Sequence, residues 1–124
     1  MTISGTTAAT EAELLVINAA TAGAITLNAQ TIAANYSESA ANLVLMFDGT
    51  ITEHTGVLTI SGASAATVAE LVAINAATTG TPVLNAATNA ANFSDTAANL
   101  TAGFLGTTSH TGTLTVTGTA PSEI

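Results

Sequence analysis

"TEAELLVINAATAG" at residues 10–23 returns at residues 67–80 as "TVAELVAINAATTG". The same offset carries Ile3 onto Ile60, Glu13 onto Glu70, Asn28 onto Asn85, Tyr36 onto Phe93 and Phe47 onto Phe104. After a one-residue deletion, His54 falls on His110 and Leu58 on Leu114. So regular a duplication is the mark of a repeat architecture. It divides the chain, a single repeat domain over 1–124, into repeat one (1–57), repeat two (58–113) and a terminal strand with its tail (114–124).

A shorter period runs inside the longer one. "TEAEL" at Thr10, "SAANL" at Ser39, "TVAEL" at Thr67 and "TAANL" at Thr96 follow one another at nearly equal steps, half the length of the longer repeat. Thr10 and Thr67 precede Glu13 and Glu70 by three, the spacing at which a hydroxyl and a carboxylate each satisfy a free backbone N–H at a helix start. Ser39 and Thr96 precede Asn42 and Asn99 by the same distance, a weaker form of the cap. Each predicts a helix. In the longer pair, Leu14 and Ile17, and Leu71, Ile74 and Ala77, recur at helical spacing, with Gly23 and Gly80 placed to end the helix in the left-handed region. The shorter pair, "AANLVLMF" and "AANLTAGF", are expected to end near Gly49 and Gly106.

Between the helices lie short runs of strand character: "TIS" at Thr2, "AITLN" at Ala24, "VLTIS" at Val57, "PVLN" at Pro82 and "TLTVT" at Thr113. Thr and Ser alternate with Leu, Ile and Val in the last run and in "VLTIS", as on a half-exposed strand. One strand and one helix per unit of roughly 28 residues predicts parallel strands joined by right-handed helical crossovers. The expected fold is α/β: a right-handed solenoid-like stack of four strand–helix units, with a small open α/β sandwich as the competing architecture.

Composition narrows the use of such a fold. The chain has eight acidic residues, no Lys, no Arg and a formal charge of −8. Binding to nucleic acid is excluded on this ground, because phosphate demands cationic partners. Anionic membranes are disfavoured likewise, and no apolar run has the length of a membrane-spanning helix. High ionic strength would relieve the self-repulsion, so a saline or calcium-rich exterior suits the chain. There is no Cys, which removes disulfides, thiolate metal sites and thiol catalysis together.

Few residues suggest chemistry. His54 in "EHTG" and His110 in "SHTG" are weak metal candidates; two units apart, they stand at about 10 Å, too far to share an ion, and a solvated turn is the simpler expectation for both. Glu13 and Glu70 are accounted for by the caps, and Glu38 and Asp95 by the favourable field before a helix start. No calcium loop of EF-hand or glycine–aspartate type occurs, so no cofactor is expected, with weak surface calcium binding the one option left open. Neither a nucleophile elbow nor a carboxylate pair is present, so no catalytic residue is assigned and the chain is read as a non-enzyme. The repeated asparagines Asn18 and Asn75, Asn28 and Asn85, Asn35 and Asn92, and Asn42 and Asn99 are read as structural, each bonding backbone of an adjacent turn. Asn35, Asn92 and Asn99 also begin formal glycosylation sequons. Tyr36 and Phe93 are read as apolar anchors ahead of their helices, with Phe47 and Phe104 in the core.

"TVAELVAINAATTG" together with "SDTAANL" resembles the alanine- and threonine-rich repeats of very large bacterial surface and secreted proteins, including cyanobacterial and marine ones. Some of these also carry calcium-binding sequences and leave the cell in one step. The resemblance covers nearly the whole chain and implies an extracellular or cell-surface location and a role in scaffolding, adhesion or matrix. The chain departs from the calcium-binding members in lacking their aspartate–glycine loops. The resulting expectation is a structural repeat module of an extracellular assembly. The alternative is a binding module for polysaccharide, a calcium-assisted surface or ice, using threonine rows such as Thr113, Thr115 and Thr117.

The two ends echo each other. "MTISG" at Met1 and "LTVTG" at Leu114 are both copies of "LTISG" at Leu58, so the first and last strands present matching edges. This predicts self-association through the terminal strands, head to tail, into filaments. Pro121 and Glu123 act the other way, as edge-blocking residues.

Overall fold

The computed structural model describes residues 1–50 and 52–118. The chain is mixed α/β. Its described elements are α1 (Glu11–Ala20), α2 (Ala29–Ala33), β1 (Tyr36–Glu38), α3 (Ala40–Phe47), β2 (Leu58–Ile60), α4 (Val68–Ala77), α5 (Ala86–Ala90), β3 (Phe93–Asp95), α6 (Ala97–Gly103) and β4 (Leu114–Val116). β1 pairs with β2 and β3 with β4, both parallel, as two two-stranded sheets. Isolated parallel bridges join Thr2 to Thr26, Ile25 to Thr50, His54 to Thr78 and Thr59 to Val83. Parallel partners require a crossover between them, and helices supply it. α1 packs on α3, α3 on α4 and α4 on α6.

The core lies between helices and strands. Leu14, Leu43, Met46, Leu71 and Ile74 from the helices meet Ile25, Leu58 and Ile60 from the strand side, all essentially without solvent contact. Ala9, Ala40 and Ala66 are buried among them. Small side chains here let backbones approach, and dispersion between close-packed atoms compensates for the modest apolar area of alanine.

Four features differ from the expectations above. First, α1 and α4 do not end on left-handed Gly23 and Gly80. Their C-caps are Thr21 (φ −140°, ψ 143°) and Thr78 (φ −134°, ψ 147°), both extended. The chain leaves each helix straight, and the threonine hydroxyl accepts the N–H of the glycine two positions on, at 3.0 Å for Gly23 and 3.1 Å for Gly80. Gly80 is small for another reason: a Cβ there would stand 2.7 Å from the Gly56 carbonyl oxygen. Among the described residues, the left-handed glycines are Gly5, Gly62, Gly106 and Gly118.

Second, the short helices α2 and α5 add to the four that the caps predict, each started by an asparagine, Asn28 or Asn85. Third, "YSE" and "FSD" are strands, so Tyr36 and Phe93 are ladder residues and not only anchors. "TIS" and "PVLN" contribute one isolated bridge each and "AITLN" two, at Ile25 and Thr26. Fourth, His54 is not in a solvated turn. It is fully buried, because its partner Thr78 lies much further along the chain and brings α4 over it. The edge-blocking role expected of Pro121 and Glu123 lies outside the described residues.

Gly56 and Gly112 fix the closest backbone approach. Ideal Cβ atoms at these positions would lie 2.0 Å from the carbonyl oxygens of Ala34 and Ala91, respectively. No side chain fits there. The N–H groups of Thr55 and Gly56 both reach Ile32 O, at 2.9 and 3.2 Å, and those of Thr111 and Gly112 both reach Asn89 O, at 2.8 and 3.0 Å.

Candidate functional site

The residues singled out by the duplication form one repeated system of side-chain-to-backbone bonds. At α1 and α4 both capping boxes are complete. Glu13 N donates to Thr10 Oγ1 at 3.2 Å and Thr10 N to Glu13 Oε2 at 2.8 Å; the Glu70–Thr67 pair matches at 3.1 and 2.9 Å. Ser39 and Thr96 accept the N–H of Asn42 and Asn99 at 3.3 and 3.2 Å. Glu38 and Asp95 extend these caps: Ser39 N and Asn42 Nδ2 both donate to Glu38 Oε1, and Thr96 N and Asn99 Nδ2 both donate to Asp95 Oδ1. Held first by Asn99 and then by the Thr96 N–H, the Asp95 carboxyl lies below its ordinary range.

The asparagines act over longer range. Asn28 caps α2 with its oxygen and donates Nδ2 to the carbonyls of Ser4, Gly5 and Thr7; Asn85 caps α5 and donates to those of Ser61, Gly62 and Ser64. Asn18 donates to Leu14 O and Met46 O and accepts Gly49 N at 2.8 Å, so it ties α1 to the end of α3. Asn75 does the same between α4 and α6, donating to Leu71 O at 3.2 Å and Gly103 O at 2.7 Å. Asn35 and Asn92 accept the N–H of Val57 and Thr113, each at 2.8 Å. Two buried threonines belong to the same system, Thr31 and Thr88, whose hydroxyls accept Ala9 N and Ala66 N at 2.9 Å. Sequence reasoning passed over them. The available signal was their place three positions after a repeated asparagine, where a cap would bond them.

His54 sits at the centre of this system. Its ring packs against Tyr36 and Phe47, with centroids 5.7 and 4.9 Å away. Nε2 donates to Ala34 O at 2.7 Å, and Nδ1 lies 3.2 Å from Thr78 Oγ1. A carbonyl oxygen only accepts, so Nε2 carries the ring proton. The single Thr78 hydroxyl proton then has two acceptors, Nδ1 and the Gly56 carbonyl at 2.9 Å. Burial pushes the imidazole below its ordinary value of 6.5, and the bond to Ala34 partly opposes that. His110 is half-buried, packs on Phe93 and Phe104, and donates Nε2 to Ala91 O at 2.8 Å. The two histidines therefore do equivalent work in separate clusters, and the structure does not bring them together.

The polar clefts are shallow in chemistry. One, of about 490 Å³ between α3 and α4, is lined by Val44, Phe47, Asp48, Glu53, Ala73 and Ala76 among others. Among the described residues, no group of three or more His, Asp or Glu side chains is placed to hold a metal ion, and no helix is long and apolar enough to cross a membrane. Thr113, Thr115 and Thr117 are exposed, but so are Leu114 and Val116 on the opposite face of β4, so exposure there belongs to the whole strand. Comparison with protein-family models, curated proteins and solved structures gives no match to this chain.

Proposed function

We propose that the chain is a structural repeat module of an extracellular or cell-surface assembly, without catalysis, built as a right-handed solenoid of four strand–helix units and joining copies head to tail. One observation carries this reading: the side chains that recur between the repeats recur with the same backbone partners. Thr10 and Thr67, Asn18 and Asn75, Asn28 and Asn85, and His54 and His110 are all engaged with main-chain groups at matching positions. Selection for a reaction would hold one constellation in place; here the same bonds are copied along the chain. The consecutive contacts from α1 to α3, α4 and α6, and the parallel bridges that recur from one unit to the next, support the stack. The surface location rests on the resemblance of the repeats and on a charge of −8 that high ionic strength would screen.

Light scattering and negative-stain microscopy of concentrated protein test the reading. Filaments with an axial repeat of about 20 Å, four units at the interstrand spacing, are expected in high salt or with added calcium. A monomer under all of these conditions would overturn the assembly. Turnover abolished by substituting a single His or Glu would overturn the absence of catalysis.

A further inference from the structure

The chain contains three copies of one strand but two copies of everything else. Met1–Ile3, Leu58–Ile60 and Leu114–Val116 are equivalent under the repeat. The middle copy shows the complete environment. On one side β2 pairs with β1 along its whole length; on the other, Val83 N donates to Leu58 O at 2.9 Å and Ile60 N donates to Val83 O at 2.8 Å. Leu58 and Ile60 are 0% and 2% exposed as a result.

Each outer copy has half of that environment. β4 pairs with β3 along its whole length, but among the described residues no strand faces the outward groups of Leu114 and Val116, and the two side chains are 42% and 55% exposed. Met1–Ile3 has the other half: Ile3 N donates to Thr26 O and Thr26 N to Met1 O, each at 2.9 Å, in place of the Val83 bonds. It is held by one bridge and by the Met1 ammonium, which donates to Ala24 O at 2.7 Å, with Met1 59% exposed.

Resting on the head-to-tail reading above, we propose that β4 of one copy displaces Met1–Ile3 from a second copy and pairs with Thr26 there, so that the joint between copies is a strand exchange. Both strands cannot stand in the same place. The one that yields is Met1–Ile3, held by a single bridge and the terminal ammonium, while β4 keeps its full pairing with β3. After exchange, Leu114 O accepts Thr26 N of the second copy and Val116 N donates to its Thr26 O, which reproduces the β2–Val83 bonds.

The neighbouring surfaces fit the same register. Val16, 67% exposed on α1, occupies the position of Ala73 on α4, which lines the cleft against Val44 and Phe47. Across the joint Val16 meets the equivalents of those residues, Thr101 and Phe104. Thr21 holds Gly23 N as Thr78 holds Gly80 N, and is therefore set to meet His110 as Thr78 meets His54. Apolar surface open at each end among the described residues is covered by the other, which supplies the driving force for exchange.

Three variants of the 124-residue chain test the joint by sedimentation velocity over a concentration series. Val116→Pro removes the outward N–H without touching the bonds to β3, since Thr117 N is the group that donates to Asp95 O, at 2.8 Å. It is expected to weaken association by about tenfold or more, the factor carried by losing an interfacial hydrogen bond and gaining a clash. Val116→Thr keeps the N–H and the shape, and is expected to associate nearly as the parent does. Ile3→Pro deletes the competing bond to Thr26 and is expected to strengthen association. Association unchanged by both proline substitutions would overturn the exchange while leaving head-to-tail assembly standing. No association in the parent or in Ile3→Pro would overturn both.

Discussion

His54 and Thr78 meet at 3.2 Å, ring nitrogen to hydroxyl, although they lie far apart in the chain. Around this contact are the Ala34 carbonyl, the Tyr36 and Phe47 rings and the Gly56 carbonyl, so the second repeat closes over the first at a titratable group.

That placement predicts a pH dependence of stability. The folded-state pKa of His54 lies below the unfolded value near 6.5, so the unfolded chain binds the proton more tightly. The contribution is full above the unfolded pKa and declines as pH falls through 6.5 towards the folded value. Urea midpoints are expected to drop between about pH 7.5 and 5.5, where ordinary carboxylates do not titrate. His54→Gln should be less stable at the upper end of that window and lose most of the slope. An equal slope in that variant would assign the effect to another group.

Gly56→Ala is expected to be, with Gly112→Ala, among the most damaging single-methyl additions, costing about 3 kcal/mol or more. The Cβ cannot be accommodated by a rotamer change, because the atom 2.0 Å away is a backbone oxygen. Thermal unfolding by circular dichroism checks this. A shift of less than a few degrees would mean that the close approach of the Gly56 and Ala34 backbones yields easily.

Asn85→Asp separates two roles of one side chain. The carboxylate still accepts Thr88 N as the cap of α5, but it replaces the Nδ2 donor with an oxygen facing the carbonyls of Ser61, Gly62 and Ser64. A loss of about 2 kcal/mol at neutral pH is expected, from the unsatisfied and repelled groups. A neutral result in chemical denaturation would show that capping alone matters.

The repeats also differ in one instructive atom. Tyr36 donates its hydroxyl to Ala9 O at 2.7 Å, whereas its counterpart Phe93 has no hydroxyl to offer Ala66, the equivalent of Ala9. Phe93→Tyr is expected to stabilise the protein by about 1 kcal/mol, and Tyr36→Phe to destabilise it by a similar amount. Denaturation midpoints moving in the same direction for both would refute the equivalence.

The sequence made α1 and α4 legible because a local signal, Thr followed three positions later by Glu, coincides with helical periodicity along the rest of each helix. α2 and α5 are too short for a period to show, and their one local sign, Asn28 and Asn85, suggests bonding between turns, whereas each residue does that and caps a helix as well. β1 and β3 carry no apolar alternation; Tyr36–Glu38 is a strand because Leu58–Ile60 arrives beside it. His54 looks solvated in "EHTG" for the same reason: what buries it is encoded well downstream. Local chemistry could be read from the chain. The burial of His54 and the pairing of Tyr36–Glu38, which depend on distant neighbours, could not.

The hydrogen bonds of Asn18, Asn28, Thr31, Asn35 and His54 to distant parts of the chain address peptide groups, with Thr78 the one side-chain partner among them. A peptide group is the same whatever residue bears it. A unit that grips its neighbour this way already fits a duplicate of itself, with no compensating substitution required on either side. Tandem copying of the gene segment therefore yields a compatible product at the first attempt, and the outward-facing positions are left free to diverge afterwards. The architecture is suited to growth in length by recombination, a route closed to proteins whose interfaces depend on matched pairs of side chains.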